Sequence, residues 1–190
     1  MKYFIGNWKM FGVPKSINIL DKINSFYSKD KNRNKYRVII TPPYTLIESY
    51  SKYFKNKKIS IGAQNCYQKE QFSSNTAAIS SYMLRSVGAK YTLIGHSDNR
   101  GEGDTDSMLK DKVRYAIKNN LKVIFCIGEN KIEKKSKKTL NVLKRQLMKV
   151  LERNFNKNNI IVAYEPIWSI GTGKIPTSNE LKVTTIHIKK

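Results

Sequence analysis

Several features of secreted and membrane proteins are missing from this sequence. It has no run of about eighteen apolar residues, so it contains no candidate for a membrane-spanning helix. Its first residues, MKYFIGNWKM, lack the apolar core and small-residue cleavage site of a signal peptide. Its two cysteines, Cys66 and Cys126, are too few for a disulfide framework. We therefore expect a protein of the reducing cytoplasm.

Acidic residues are also scarce, with 14 Asp and Glu against 36 Lys and Arg, for a formal net charge of +22. Such a charge is typical of proteins that bind nucleic acid or anionic surfaces. Here, however, the lysines are scattered, and no basic segment alternates with aromatic residues that could stack on bases. The densest run, KIEKKSKK at 131–138, lies between a predicted strand and a predicted helix. We interpret it as solvated surface, and the positive potential as a field that favours a phosphorylated substrate.

Apolar segments alternate with amphipathic ones along the whole chain. The predicted strands are YFIGNW (3–8), YRVIITPP (36–43), ISIGAQN (59–65), YTLIG (91–95), KVIFCIG (122–128) and IIVAYE (160–165). Helical spacing follows each strand: Ile17, Leu20, Ile23 and Tyr27; residues 44–54; Ile79, Met83 and Val87 before Gly88; Leu109, Val113 and Ile117; Leu140, Leu143, Leu147 and Leu151; and a capping box, Thr177 and Glu180. Six βα units in a row predict one α/β domain over residues 1–190, with a parallel sheet covered by helices. Alternation alone leaves a doubly wound sheet and a β/α barrel open.

Polar residues with catalytic chemistry stand at the predicted strand ends, where parallel α/β folds gather their active sites. Lys9 follows the first strand, His96 the fourth and Glu165 the sixth. A carboxylate can take a proton from carbon, an imidazole can polarise a carbonyl, and an ammonium group can stabilise developing negative charge. Together they indicate proton transfer but do not name a reaction.

Five motifs resemble the signatures of the triosephosphate isomerase family. They are GNWKM at 6–10, GAQN at 62–65, IGHSDNR at 94–100, CIGE at 126–129 and AYEPIWSIGTGK at 163–174, in the order and at about the spacing of the family. The resemblance favours the TIM barrel over the doubly wound sheet. It implies interconversion of dihydroxyacetone phosphate and glyceraldehyde 3-phosphate in glycolysis and gluconeogenesis, without cofactor or metal.

The resemblance also implies roles for individual residues. Glu165 matches the catalytic base, His96 the neutral electrophile and Lys9 the lysine that stabilises the enediolate, while Asn7 matches a hydrogen-bond donor to substrate. Ser97, Asp98 and Cys126 match supporting positions. The mobile lid corresponds to Pro166, Ile167, Trp168, Ser169, Ile170, Gly171, Thr172, Gly173 and Lys174, and Gly171 matches the residue whose amide binds the substrate phosphate.

Some positions depart from the family pattern. Asp98 stands where the family has glutamate, and Asn99 where it has arginine. Family members are homodimers, and Thr76 matches the loop that reaches into the partner subunit, but Ala77 and Ala78 replace its glycine and glutamate. Pro176 should stiffen the second hinge of the lid.

The chain is also shorter than a barrel of about 250 residues and eight strands. With 190 residues, we expect it to end in the sixth helix and to lack strands seven and eight with their phosphate-binding loops. We therefore expect the isolated chain to fold poorly and to have little activity. The alternatives are a non-catalytic relative that acts as a basic anion- or nucleic-acid-binding protein, and another phosphosugar enzyme on a βα scaffold.

Overall fold

The computed structural model describes residues 1–189, with the side chain of Lys157 excepted. In chain order its elements are β1 (Lys2–Asn7), α1 (Ile17–Lys29), β2 (Tyr36–Thr41), α2 (Tyr44–Tyr53), β3 (Ser60–Ala63), α3 (Ser81–Ser86), β4 (Tyr91–Ile94), α4 (Ser97–Gly101), α5 (Asp106–Lys118), β5 (Lys122–Ile127), α6 (Lys131–Lys135), α7 (Thr139–Val150), β6 (Ile160–Tyr164) and α8 (Ser178–Ile188).

All six strands are parallel and lie side by side in chain order, β1-β2-β3-β4-β5-β6. Each strand therefore pairs with the next along the chain, and the helices cover one face of a curled sheet, as in part of a TIM barrel. The prediction of a barrel-type parallel sheet is confirmed. No helix among residues 1–189 is long and apolar enough to cross a membrane.

The sheet buries apolar side chains on both of its faces. On the helix-covered face the core includes Val123 and Phe125 of β5, packed with Leu109 of α5 and Leu143 of α7. The opposite face carries its own cluster: Ile39, Tyr91, Leu93, Ile124 and Cys126, with Ile5, Ile161 and Ala163 against it. Successive residues of a strand point to opposite faces, so burial on both sides explains why the strands are apolar throughout.

Capping residues set the starts of several helices. Thr177 and Glu180 form the predicted capping box at α8. The prediction for α3 was wrong in extent. Ser80 caps this helix, so Ile79 lies outside it. Met83 lies within the helix but is 40% exposed, not part of a buried face. The short helix α6 was not predicted; Asn130 and Glu133 form a capping box at its start.

The outer edges of β1 and β6 have no partner strand within the described residues. Beside the β1 edge, Phe4 and the α1 residue Phe26 are exposed. Ile23, Tyr36 and Val38 line an apolar cavity of about 650 Å³ with them. A free strand edge next to apolar side chains is open to pairing with other chains.

Candidate active site

His96 and Glu165 meet at the carboxyl ends of β4 and β6. The Nε2 of His96 lies 2.8 Å from Oε1 of Glu165. His96 is also the N-cap of α4, where its Nδ1 accepts a hydrogen bond of 3.1 Å from the backbone N–H of Asp98. An Nδ1 that accepts carries no proton, so the imidazole is neutral and Nε2–H donates to the carboxylate.

Ser97 holds the Glu165 carboxylate from the other side. Its backbone N–H lies 3.4 Å from Oε2 and its hydroxyl 3.3 Å from Oε1. The backbone of Glu165 is fixed to the end of β5 by a 2.7 Å bond from its N–H to the carbonyl of Ile127. A Cβ on Gly128 would lie 1.8 Å from the carbonyl oxygen of Glu165, so only glycine permits this close approach. The strand ends therefore aim the carboxylate at His96.

Lys9 joins the site through a strained backbone and an ion pair. Its φ is 51°, a left-handed conformation that costs a non-glycine residue about 1–2 kcal/mol. Asn7 Oδ1 accepts from the backbone N–H of Lys9 at 3.0 Å, and Gln64 Nε2 donates to its carbonyl at 2.8 Å. The Nζ of Lys9 lies 3.2 Å from Oδ2 of Asp98. Asp98, although shorter than the glutamate of the family, thus connects Lys9 to His96.

A cavity of about 530 Å³ opens beside these groups. Asn7, Lys9, His96 and Asp98 line it, together with Gln64 and, at positions outside the predicted site, Met10, Phe11, Tyr44, Asn65, Asn99 and Glu102. Of the predicted proton-transfer residues, Lys9 and His96 line this cavity, whereas Glu165 is not among its lining residues and is connected to it through His96. Cys126 is not among the lining residues: it lies in the core cluster on the inner face of the sheet, where burial raises the pKa of its thiol to about 12.

The predicted lid leaves β6 and stands away from this cavity. Gly171 and Gly173 have φ values of 68° and 71°, and a Cβ on either would meet nothing within 4 Å. The first part of the lid is anchored instead, because Nε1 of Trp168 donates to Oε1 of Glu129 at 2.7 Å. The segment predicted as the lid is thus anchored at its base, and there is open space beside the two glycines at its tip. The amide of Gly171 is not brought to His96 or Lys9 in this arrangement.

Glu129 holds the base of the lid, a role that the sequence did not reveal. Its carboxylate is fully buried and also accepts hydrogen bonds from the Tyr164 hydroxyl, 3.1 Å from each oxygen, and from Thr139 at 3.2 Å. Burial, followed by the charge of Glu129, raises the pKa of the Tyr164 hydroxyl, which stays a donor. Its place directly after a buried strand, in CIGE, is the signal that could have identified it.

Gln64 and a buried ion pair also support the site. Gln64 donates to the carbonyls of both Lys9 and Thr41, which ties the ends of β1 and β2 together. Nearby, Nζ of Lys112 lies 2.6 Å from Oδ1 of Asp104 and 3.1 Å from Oδ1 of Asn65. A lysine within an amphipathic helix normally lies at an exposed position, so this buried pair could not be predicted from the sequence.

Known proteins resemble this chain over nearly all of its length. The family model described as triosephosphate isomerase matches residues 2–190. The triosephosphate isomerase of Alkaliphilus oremlandii is 37% identical over 97% of this chain and 74% of its own length. That of Saccharomyces cerevisiae is 36% identical over 99% of this chain and 75% of its own length.

A solved structure shows the same similarity in three dimensions. The crystal structure of triosephosphate isomerase from Bartonella henselae superposes with a TM-score of 0.88 at 32% identity, over 98% of this chain and 73% of that one. The matches favour an isomerase over a non-catalytic basic binding protein. The chain belongs to the triosephosphate isomerase family, and its activity is that of a triosephosphate isomerase.

Proposed function

We propose that this site interconverts dihydroxyacetone phosphate and glyceraldehyde 3-phosphate through an enediolate, with Glu165 as the base. The observation that carries the proposal is the contact between Glu165 and a neutral His96 whose Nδ1 is occupied by a backbone N–H. One group can accept a proton from carbon while the other offers Nε2–H to a substrate oxygen. Both follow strand ends, and His96 lines a cavity large enough for a triose phosphate.

The carboxylate of Glu165 takes the proton from one substrate carbon and returns it to the neighbouring carbon. To reach the substrate it leaves its contacts with Ser97, which hold it in the present arrangement. Nε2–H of His96 polarises the carbonyl and supports proton movement between the two oxygens. The ammonium group of Lys9 and the amide of Asn7 stabilise the negative charge of the enediolate.

Lid closure completes the site in this proposal. The exposed backbone N–H of Gly171 would move onto the substrate phosphate, for which a glycine with positive φ leaves access. The Trp168–Glu129 bond belongs to the open arrangement and would be broken or rearranged. Closure excludes water and so protects the enediolate from losing its phosphate.

Membership of the family also supports proposals for the oligomeric state and the cellular location of the enzyme. We propose a homodimer in which the loop containing Thr76 contacts the partner subunit, although Ala77 and Ala78 alter that contact. Thr76 is exposed and therefore accessible to a partner. We propose a cytoplasmic enzyme of glycolysis and gluconeogenesis.

The replacement Glu165→Asp tests the role of the base. It keeps the carboxylate but withdraws it by one methylene, so kcat should fall by about 10²-fold while KM changes little. Turnover is measured in a coupled isomerase assay as the ratio of the variant to the unaltered chain, so that a low absolute activity does not affect the comparison. Glu48→Asp is the matched control, because Glu48 is exposed on α2 and, among residues 1–189, its carboxylate forms an ion pair with Lys52 alone; it should leave kcat unchanged. An unchanged kcat in Glu165→Asp would remove Glu165 from the base role.

A further inference from the structure

The lysine-rich run at 131–138 contributes to a second cavity, of about 200 Å³, beside the lid. Lys131, Lys134 and Lys135 line it from α6, and Trp168, Thr172 and Lys174 line it from the lid. Residues three and four positions apart share a face of a helix, so the three α6 lysines face the same space. We call this space the lid-edge cavity. None of its lining residues lines the larger cavity beside His96 and Lys9, which we call the catalytic cavity.

The charge of the lid-edge cavity is largely uncompensated. Lys134 pairs with Glu180 and lies 5.0 Å above the Trp168 ring. Among residues 1–189, no carboxylate lies within 4.0 Å of the ammonium groups of Lys131, Lys135 or Lys174.

The two other acidic side chains of this region face other partners. Glu129 is buried and accepts hydrogen bonds from Tyr164 and Trp168. Glu133 caps α6 and pairs with Arg145. Three cations therefore face one concave space without an anion to balance them.

We propose that the lid-edge cavity binds a small phosphate-bearing molecule. A phosphate group accepts charge-assisted hydrogen bonds from several ammonium groups at once, which a single lysine on a solvated surface does not provide. Trp168 adds an apolar wall for the organic part of such a ligand. The small volume suits a phosphate ester or a diphosphate.

A ligand in this cavity would also act on the lid. It would join α6, which belongs to the body of the protein, to Thr172 and Lys174 of the lid. It therefore stabilises the open arrangement in which Trp168 bonds to Glu129, and by linkage the closed, substrate-bound arrangement weakens its binding by the same factor. This consequence, unlike the binding itself, rests on the lid closure proposed above.

Calorimetric titration with inorganic pyrophosphate at low ionic strength tests the binding. The double variant Lys131→Gln/Lys135→Gln should bind pyrophosphate at least about tenfold more weakly than the unaltered chain, since each lost charge-assisted bond is worth more than 1.4 kcal/mol. The control Lys137→Gln/Lys138→Gln removes the same charge from the same run but outside the cavity, and should change the affinity less than about twofold. Equal weakening in both variants would mean a diffuse field and would overturn the proposal.

Two further measurements locate the ligand. Lys9→Met should leave the pyrophosphate affinity unchanged; a loss there, with none in the Lys131/Lys135 variant, would place the anion in the catalytic cavity and overturn the proposal. In the unaltered chain, pyrophosphate should slow amide hydrogen exchange at 131–135 and 168–174. Protection confined to 6–10 and 95–100 would contradict it. These readouts need no catalysis, so they remain decisive if the role of Glu165 fails its own test.

Discussion

At the scale of single residues, Lys112 keeps an ammonium group inside the protein. Its side chain is 3% exposed and contacts both carboxylate oxygens of Asp104, at 2.6 and 2.7 Å. The pair holds the segment after β3 against the segment after α4, through the bond from Lys112 to Asn65. Asn65 follows Gln64, which in turn fixes the backbone of Lys9.

Asp104→Asn should lower the free energy of unfolding by about 3–5 kcal/mol, because it leaves the Lys112 charge buried without a counter-charge. The measurement is urea denaturation at neutral pH. Asp111→Asn is the control: it breaks an exposed pair with Arg114 and should cost at most about 1 kcal/mol. Equal losses of unfolding free energy in the two variants would show that the buried pair stabilises the fold no more than an exposed pair does.

Glu180 makes the stability of the chain depend on acidity. The bond from Lys134, followed by the backbone N–H of Thr177, lowers the pKa of Glu180 to about 2 from 4.5. A lowered pKa stabilises the folded state above pH 4.5, and that stabilisation is lost as the pH falls through about 2.

Glu180→Gln should therefore lower Tm at pH 7, and the difference from the unaltered chain should close between about pH 4.5 and pH 2. Thermal unfolding at a series of pH values measures it. In a Lys134→Met background the same replacement should have a smaller effect at pH 7, because the main partner is gone. A gap that persists at pH 2 would contradict this origin.

At the scale of elements, the loop between β3 and α3 contains a conformation that its sequence does not suit. Ala77 has a φ of 63°, in the region that favours glycine. Ala77→Gly should stabilise the chain by about 1 kcal/mol, since relief of the left-handed strain exceeds the entropy that glycine adds to the unfolded state. Thermal unfolding measures the change. The neighbouring Ala78→Gly lacks this relief and should destabilise; stabilisation by both would assign the effect to general loop flexibility.

The elements also show what the sequence can predict. The six strands were identified because each forms an apolar run, which in β2 to β5 is largely buried on both faces of the sheet. Helices α5 and α7 were identified because one buried stripe recurs at helical spacing. The extent of α3 and the existence of α6 were missed, because caps at Ser80 and Asn130 decide them over a single turn. Short helices give too few residues for periodicity to show.

For the candidate site, the sequence predicted the central residues but not the residues that support them. Motif resemblance located Asn7, Lys9, His96 and Glu165, which the structure gathers at one rim. It did not reveal Gln64, Glu129 or the Lys112–Asp104 pair as supports, because their contacts join segments distant in sequence. The state of the lid was equally beyond the sequence, since an open lid and a closed lid share one set of residues.

At the scale of the whole molecule, a net charge of +22 opposes self-association while the β1 edge favours it. Charge repulsion between exposed groups is screened over about 30 Å at 0.01 M salt and about 8 Å at 0.15 M. Pairing at an apolar strand edge is not weakened by salt in this way. Chains should therefore not aggregate through this edge at low salt and should associate through it as salt is added.

Phe26→Lys tests where this association occurs. Phe26 is 75% exposed and lines the apolar cavity beside the β1 edge with Phe4, so a charge there should raise the salt concentration at which light scattering increases. Phe72→Lys is the matched control, because Phe72 is 74% exposed but lies in the loop before α3, away from that edge. It adds the same charge and removes the same ring, and should leave the onset of scattering nearly unchanged. Equal suppression by both variants would show that net charge alone governs association, and that the β1 edge is not where the chains meet.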